Sequence, residues 1–79
     1  MTTEVRRYIK FVPFQISPSR RLQIWQVVNK RYGDLLGVIA WNNAWKCYCF
    51  EDVNPDAVFS SDCLGDIASF CVRLTAEAE

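Results

Sequence analysis

Apolar residues recur at strand-like spacing through the first two thirds of the chain. Residues 7–16 are rich in aromatic and β-branched side chains and predict a strand. Pro13 lacks the N–H that a ladder needs, so this strand is expected at a sheet edge. Residues 22–30, 35–41 and 45–51 predict three more strands. Tyr32-Gly33-Asp34 marks one hairpin turn, with Gly33 free to take positive φ. Asn42-Asn43 marks another, since Asn tolerates the left-handed region. After a polar loop the period changes. Cys63, Ile67, Phe70, Cys71 and Leu74 form one helical stripe, and Ser60 or Ser61 can cap a helix over 61–76. The tail from Thr75 is expected to fray. The pattern is that of an α+β domain: a three- to four-stranded antiparallel meander with one C-terminal helix packed on one face.

Strand alternation sharpens this expectation. If residues 42–44 form the loop, Trp41 pairs with Trp45 and Ile39 with Cys47. A turn centred on Tyr32-Gly33 pairs Val28 with Gly37 and Gln26 with Ile39. One face then carries Ile24, Gln26, Val28, Leu35, Gly37, Ile39, Trp41, Trp45, Cys47 and Cys49. The other carries Trp25, Val27, Leu36, Val38, Ala40, Lys46, Tyr48 and Phe50. One helix covers one face. The second is the better candidate, because Gln26 near the middle of the first is costly to bury unpaired. Trp41 and Trp45 would then stand open to a partner. Alternatively, the first strand and the 52–59 loop wrap over that face and complete the core.

Composition narrows the chemistry. Seventy-nine residues make a single domain over 1–79, with 51% hydrophobic residues and eleven aromatics to fill a thin core. No apolar run is long enough to span a bilayer, and residues 1–10 carry charge without an apolar leader, so a cytoplasmic protein is expected. There is no histidine, the commonest general base and metal ligand. The three glycines are isolated and build no phosphate loop. Asp62 and Asp66 share a helix face, but as solvated acids near its start. Cys47, Cys49, Cys63 and Cys71 are expected as reduced thiols. Their C-x-C pair in a strand and distant pair in a helix do not match zinc-knuckle spacing. No enzyme activity, metal or cofactor is expected.

Charge is unevenly placed. Residues 1–46 carry eight basic groups and two acids; residues 47–79 carry one base and seven acids, so the halves are +6 and −6. This suits steering toward a charged partner, unless the halves interleave in space.

The segment Leu36-Gly37-x-Ile39-x-Trp41, Trp45-x-x-Tyr48-x-Phe50, then Phe59-x-x-x-Cys63-Leu64-x-Asp66-Ile67-x-x-Phe70, resembles a pattern found in small bacterial and phage single-domain reading frames. It departs from that pattern at Glu51, where an aromatic is usual. The resemblance lends no activity, but it implies a phage setting. By analogy with anti-CRISPR inhibitors, it implies a protein that masks a surface of a host protein complex such as a CRISPR effector. Trp41, Trp45, Glu51, Asp52, Asp56, Asp62 and Asp66 are the candidate contacts, with Glu77 and Glu79 extending the acidic helix. The alternatives are a single-strand nucleic-acid module using Arg20, Arg21, Lys30 and Arg31 beside the Trp pair, and a homodimer that buries the open face against itself.

Overall fold

The computed structural model describes residues 2–18 and 21–78. The chain folds into strands β1 (Glu4–Val5), β2 (Ile9–Ile16), β3 (Gln23–Asn29), β4 (Leu35–Asn42) and β5 (Cys47–Asp52), then helix α1 (Ser61–Ala78). The strands form one antiparallel sheet in sequence order. The expected class holds, with five strands in place of three or four. The added strand, β1, is two residues long, too short for any period to show. Pro13 therefore does not lie on an outermost strand. It lies on β2 beyond the reach of β1, which pairs only at Lys10 and Phe11, so the missing N–H falls on a locally free edge.

Three hairpin loops share one design. In each, the residue before the loop accepts a hydrogen bond from the amide four positions on: Ser17 from Arg21, Asn29 from Gly33, Asn42 from Lys46. That fourth residue has positive φ: 58° at Arg21, 80° at Gly33, 57° at Lys46. Side chains support the second and third of these loops. Asn29 Oδ1 accepts from the amides of Arg31 and Tyr32, and Asn42 Oδ1 from that of Trp45. Gly33 behaves as its sequence predicts. In the last loop the left-handed residue is Lys46, not an asparagine, because this turn places positive φ at its fourth residue. A non-glycine in this region costs roughly 1 kcal/mol. Lys46→Gly is therefore expected to stabilise the fold by about 0.5–1 kcal/mol after the entropy penalty of glycine. A thermal melt reads this as a rise of a few degrees; an unchanged or lower midpoint contradicts it.

The long last loop resets the register. Asn42 pairs with Cys47, Trp41 with Tyr48, Ile39 with Phe50 and Gly37 with Asp52. On the other side of β4, Trp25 pairs with Ile39 and Val27 with Gly37, then a bulge brings Val28 opposite Leu35. Both registers differ from the sequence expectation, and the reason is local. The turn uses four residues, 43–46, which moves the start of the last strand from 45 to 47, and β3 shifts by one against β4. One step of slip moves a side chain to the opposite face. Ile39 and Trp41 consequently face the helix, while Val38 and Ala40 do not. Trp25, Val27, Tyr48 and Phe50 lie on the roofed side as expected. So does Leu36, because the bulge gives β4 an extra residue there.

The roofed side holds the core. Ile9, Phe11, Trp25, Val27, Leu36, Ile39 and Tyr48 from the sheet are buried against Cys63, Ile67, Phe70 and Leu74 of α1. The expected stripe is thus the buried face, with Cys71 half-buried beside it. Ser60 caps the helix, its Oγ accepting from the Cys63 amide at 3.3 Å. The helix does not fray at Thr75 but continues through Ala78. Thr75 is tied down: its Oγ1 accepts from the Tyr48 amide at 2.9 Å and donates to the Cys71 carbonyl. That contact also caps part of the outer edge of β5.

The short β1 is held by charge. The Glu4 carboxylate takes both terminal nitrogens of Arg73 and one from Arg6 at 3.2 Å. The Arg73 hydrogen bonds, opposed by partial burial and helped by Arg6, hold the Glu4 carboxyl below the usual carboxylate range. A depressed native pKa contributes stability that is complete above the unfolded value, near 4.3, and is lost as pH falls through the native value. Glu4→Gln should cost under ~1 kcal/mol at pH 7 and flatten the fall of stability below about pH 4.5. Urea melts at pH 7 and pH 3.5 check both parts.

Candidate interaction surface

Among the described residues no second layer packs on the face of the sheet away from α1. Its register places Val5, Lys10, Val28 and Leu35 in one cross-strand row, and Val12, Gln26, Val38 and Glu51 in the next. Ile24, Ala40 and Cys49 lie along the same side, and Cys47 ends it opposite Asn42. Most of these residues are half-buried; Val5, Leu35 and Glu51 are exposed. Among the described residues neither the first strand nor the 52–59 loop folds over this face, so an apolar sheet surface remains open, with Val38 and Ala40 on it in place of Ile39 and Trp41. Among the paired positions there is one base, Lys10, and one acid, Glu51. At the centre, Gln26 makes no side-chain hydrogen bond among the described residues.

The sequence-predicted contact residues do not converge. Trp41 is half-buried on the roofed side, its ring edge-on to Tyr48 at 5.8 Å. Trp45 is 76% exposed in the β4–β5 turn. Glu51 lies on the bare face. Asp52 closes β5, its Oδ1 accepting from the Asn54 amide, a role in shaping the loop. Asp56 and Asp62 line a hollow of about 520 Å³ with Asp34, between the β3–β4 turn and the start of α1. Asp66 is half-buried on the helix; Glu77 is exposed and pairs with Arg73 at 3.6 Å. Glu79 and Arg20 lie outside the described residues. The outer helix surface is mixed rather than acidic, with Leu64 and Val72 exposed.

The basic candidates are also divided. Arg21 sits at one end of β3, and Lys30 and Arg31 follow the other end. What joins Lys30 and Arg31 is Arg7 and Tyr8. The Lys30 amide donates to the Tyr8 carbonyl at 3.0 Å, linking two loops. Arg7, Tyr8, Asn29, Lys30, Arg31 and Tyr32 then line a hollow of about 480 Å³ with no carboxylate in its wall. The guanidinium of Arg7 lies 5.1 Å from the Tyr8 ring, and that of Arg31 lies 5.3 Å from the Tyr32 ring. The repeated Arg-Tyr dipeptide at 7–8 and 31–32 was the sequence signal for this patch. The acidic and basic hollows share Tyr8 and Asn29 as a common wall.

The thiols are free. Cys47 and Cys49 alternate with Tyr48 on the edge strand β5, their Sγ atoms 3.7 Å apart, and Cys47 also lines a hollow of about 240 Å³ with Cys71, Val72 and Thr75 of α1. Burial, with added repulsion from the neighbouring Cys49 and Cys47 sulfurs, pushes the Cys71 thiol up to about 11, so it stays protonated at neutral pH and is a poor nucleophile. Cys63 is buried beneath the helix start.

Among the described residues no helix is long and apolar enough to cross a membrane. No family model matches the chain, and neither curated proteins nor solved structures give a match.

Proposed function

We propose that this chain is a non-enzymatic interaction protein that works through its bare sheet face. The observation that carries the reading is the unroofed side, on which Val12, Ile24, Gln26, Val28, Val38 and Ala40 present a mainly apolar surface to solvent. A contiguous surface of this kind on a small domain marks a protein contact. The edges offer less. β1 is two residues long, the exposed stretch of β2 holds Pro13, and β5 is partly capped by Thr75. The resemblance to phage reading frames adds a setting, in which the protein masks a host complex of the CRISPR-effector kind.

The test is capture of binding proteins from a bacterial lysate by the tagged chain. Val38→Lys places a charge in the middle of the face and should abolish specific capture. Val72→Lys, on the outer helix surface, should leave it intact. Capture insensitive to Val38→Lys overturns the reading.

A second reading, single-strand nucleic-acid binding, is favoured by the Arg7, Tyr8, Lys30, Arg31 and Tyr32 hollow, because cations beside exposed rings suit phosphates and stacked bases. Under it, a fluorescent oligothymidylate binds with micromolar affinity that falls with salt, and Tyr32→Ala with Arg31→Ala removes the binding.

A further inference from the structure

The polar groups on the bare face are few, and their placement is specific. Gln26 stands at the centre, and its carboxamide makes no hydrogen bond among the described residues. Lys10 and Glu51 flank it on opposite sides. Glu51 lies two strands away in the same cross-strand row, about 10 Å by strand spacing. Lys10 lies one strand away and two residues along, about 8 Å. The side chains between and beside them are Val12, Val28, Leu35 and Val38.

We propose that the occupant of this face is a second copy of the same chain. The inference rests on the reading of the face as a protein contact surface and replaces the host partner named there with a second copy, so the two occupants are alternatives. A carboxamide is its own complement, since each can donate an N–H and accept at its oxygen. A foreign apolar surface laid on this face would leave the Gln26 amide buried without a partner, at a cost of a few kcal/mol in general. A second Gln26 removes that cost. A two-fold axis lying between the two faces places like over like only on the axis and exchanges everything else. An axis over Gln26 that bisects the directions to Lys10 and Glu51 lays Lys10 of each copy on Glu51 of the other. Because the two residues are nearly equidistant from Gln26, one operation satisfies all three polar groups. It makes two equivalent ion pairs at the rim and one amide pair at the centre, with Val28, Val38, Val12 and Ala40 packed around it.

The dimensions are adequate. Four full strands by about seven residues give roughly 450 Å² in projection, and more as accessible surface, close to the lower bound for a specific dimer. Sheet-on-sheet packing at ~10 Å suits side chains of this size. The core of such an interface is apolar and its charges lie at the rim, as they do here.

Sedimentation equilibrium on the full chain is the experiment. The chain weighs 9.2 kDa, and a species of about twice that mass at tens of micromolar is expected. Val38→Lys should return it to monomer while preserving the circular dichroism of the fold. Lys10→Glu and Glu51→Lys should each weaken the dimer at least ~10-fold, by placing like charges opposite one another, and the double variant should recover to within about threefold of the original. A monomer at millimolar concentration overturns the proposal, as does a dimer that ignores Val38→Lys or fails to recover in the double swap. If the chain is a monomer whose lysate capture still depends on Val38, only the second-copy assignment falls. If it is a monomer with no such capture, the functional reading falls with it.

Discussion

Phe70→Ala should remove most of the stability of the domain. The Phe70 ring is fully enclosed and stacks on Phe11, with centroids 4.1 Å apart and planes 1° from parallel. It also meets Trp25 edge-on at 4.9 Å. Arg73 and Arg6 close the outer side, with guanidinium carbons 5.0 and 5.9 Å from its centroid. One side chain thus joins α1 to β2 and β3 and seats the cations that bind Glu4. Truncating a buried Phe costs about 3–5 kcal/mol. A domain of this length has on the order of 4–12 kcal/mol in total. The expected result is a melting point lowered by roughly 15–30 °C, or a chain largely unfolded at 37 °C. Phe70→Leu keeps most of the volume and should cost about 1–2 kcal/mol. A loss below ~1.5 kcal/mol for Phe70→Ala, with near-ultraviolet dichroism retained, would show that the helix is held to the sheet elsewhere.

Gly37→Ala should be nearly as damaging, for the opposite reason. Gly37 lies on the roofed face of β4, where the Phe50 ring folds over the space a side chain would occupy. Phe50 is fixed there by an edge-on contact with Phe59 at 5.6 Å. A Cβ on residue 37 would run into the ring, and would also stand 2.6 Å from the Glu51 carbonyl oxygen. The ring can swing, but the carbonyl belongs to the neighbouring strand, so the β4–β5 pairing must move. Overpacking costs about 1–3 kcal/mol where side chains yield, and more where backbone must, so a loss near 3 kcal/mol is expected. Combining Gly37→Ala with Phe50→Leu tests the cause. Relief of the ring clash should return part of the loss, and the backbone share should remain. Full recovery in the double variant, or a cost below ~1 kcal/mol for the single one, contradicts this account.

Most of the local structure was legible in the residues. The strands begin and end within about two residues of their expected limits, an ordinary uncertainty for pattern reading. The helical stripe Cys63, Ile67, Phe70, Leu74 is the buried one because a single apolar stripe leaves a helix one way to face. Gly33 takes positive φ because its turn requires it. The patch residues Arg7, Tyr8 and Tyr32 were not assembled, because nothing local states that the β1–β2 and β3–β4 loops meet.

The sequence by itself determined the elements, their order and the class of fold, because each rests on a period read within a dozen residues. It also determined that one helix can roof only one sheet face, while cover of the other by the first strand or the 52–59 loop stayed open. Only the tertiary structure decided which face. From Leu35 to Trp41 both parities of β4 are apolar or small, so the strand carries no signal for which side points inward. That choice fell to the four-residue turn ending at Lys46 and to the bulge at Leu36, and one step of register exchanged Ile39 and Trp41 for Val38 and Ala40.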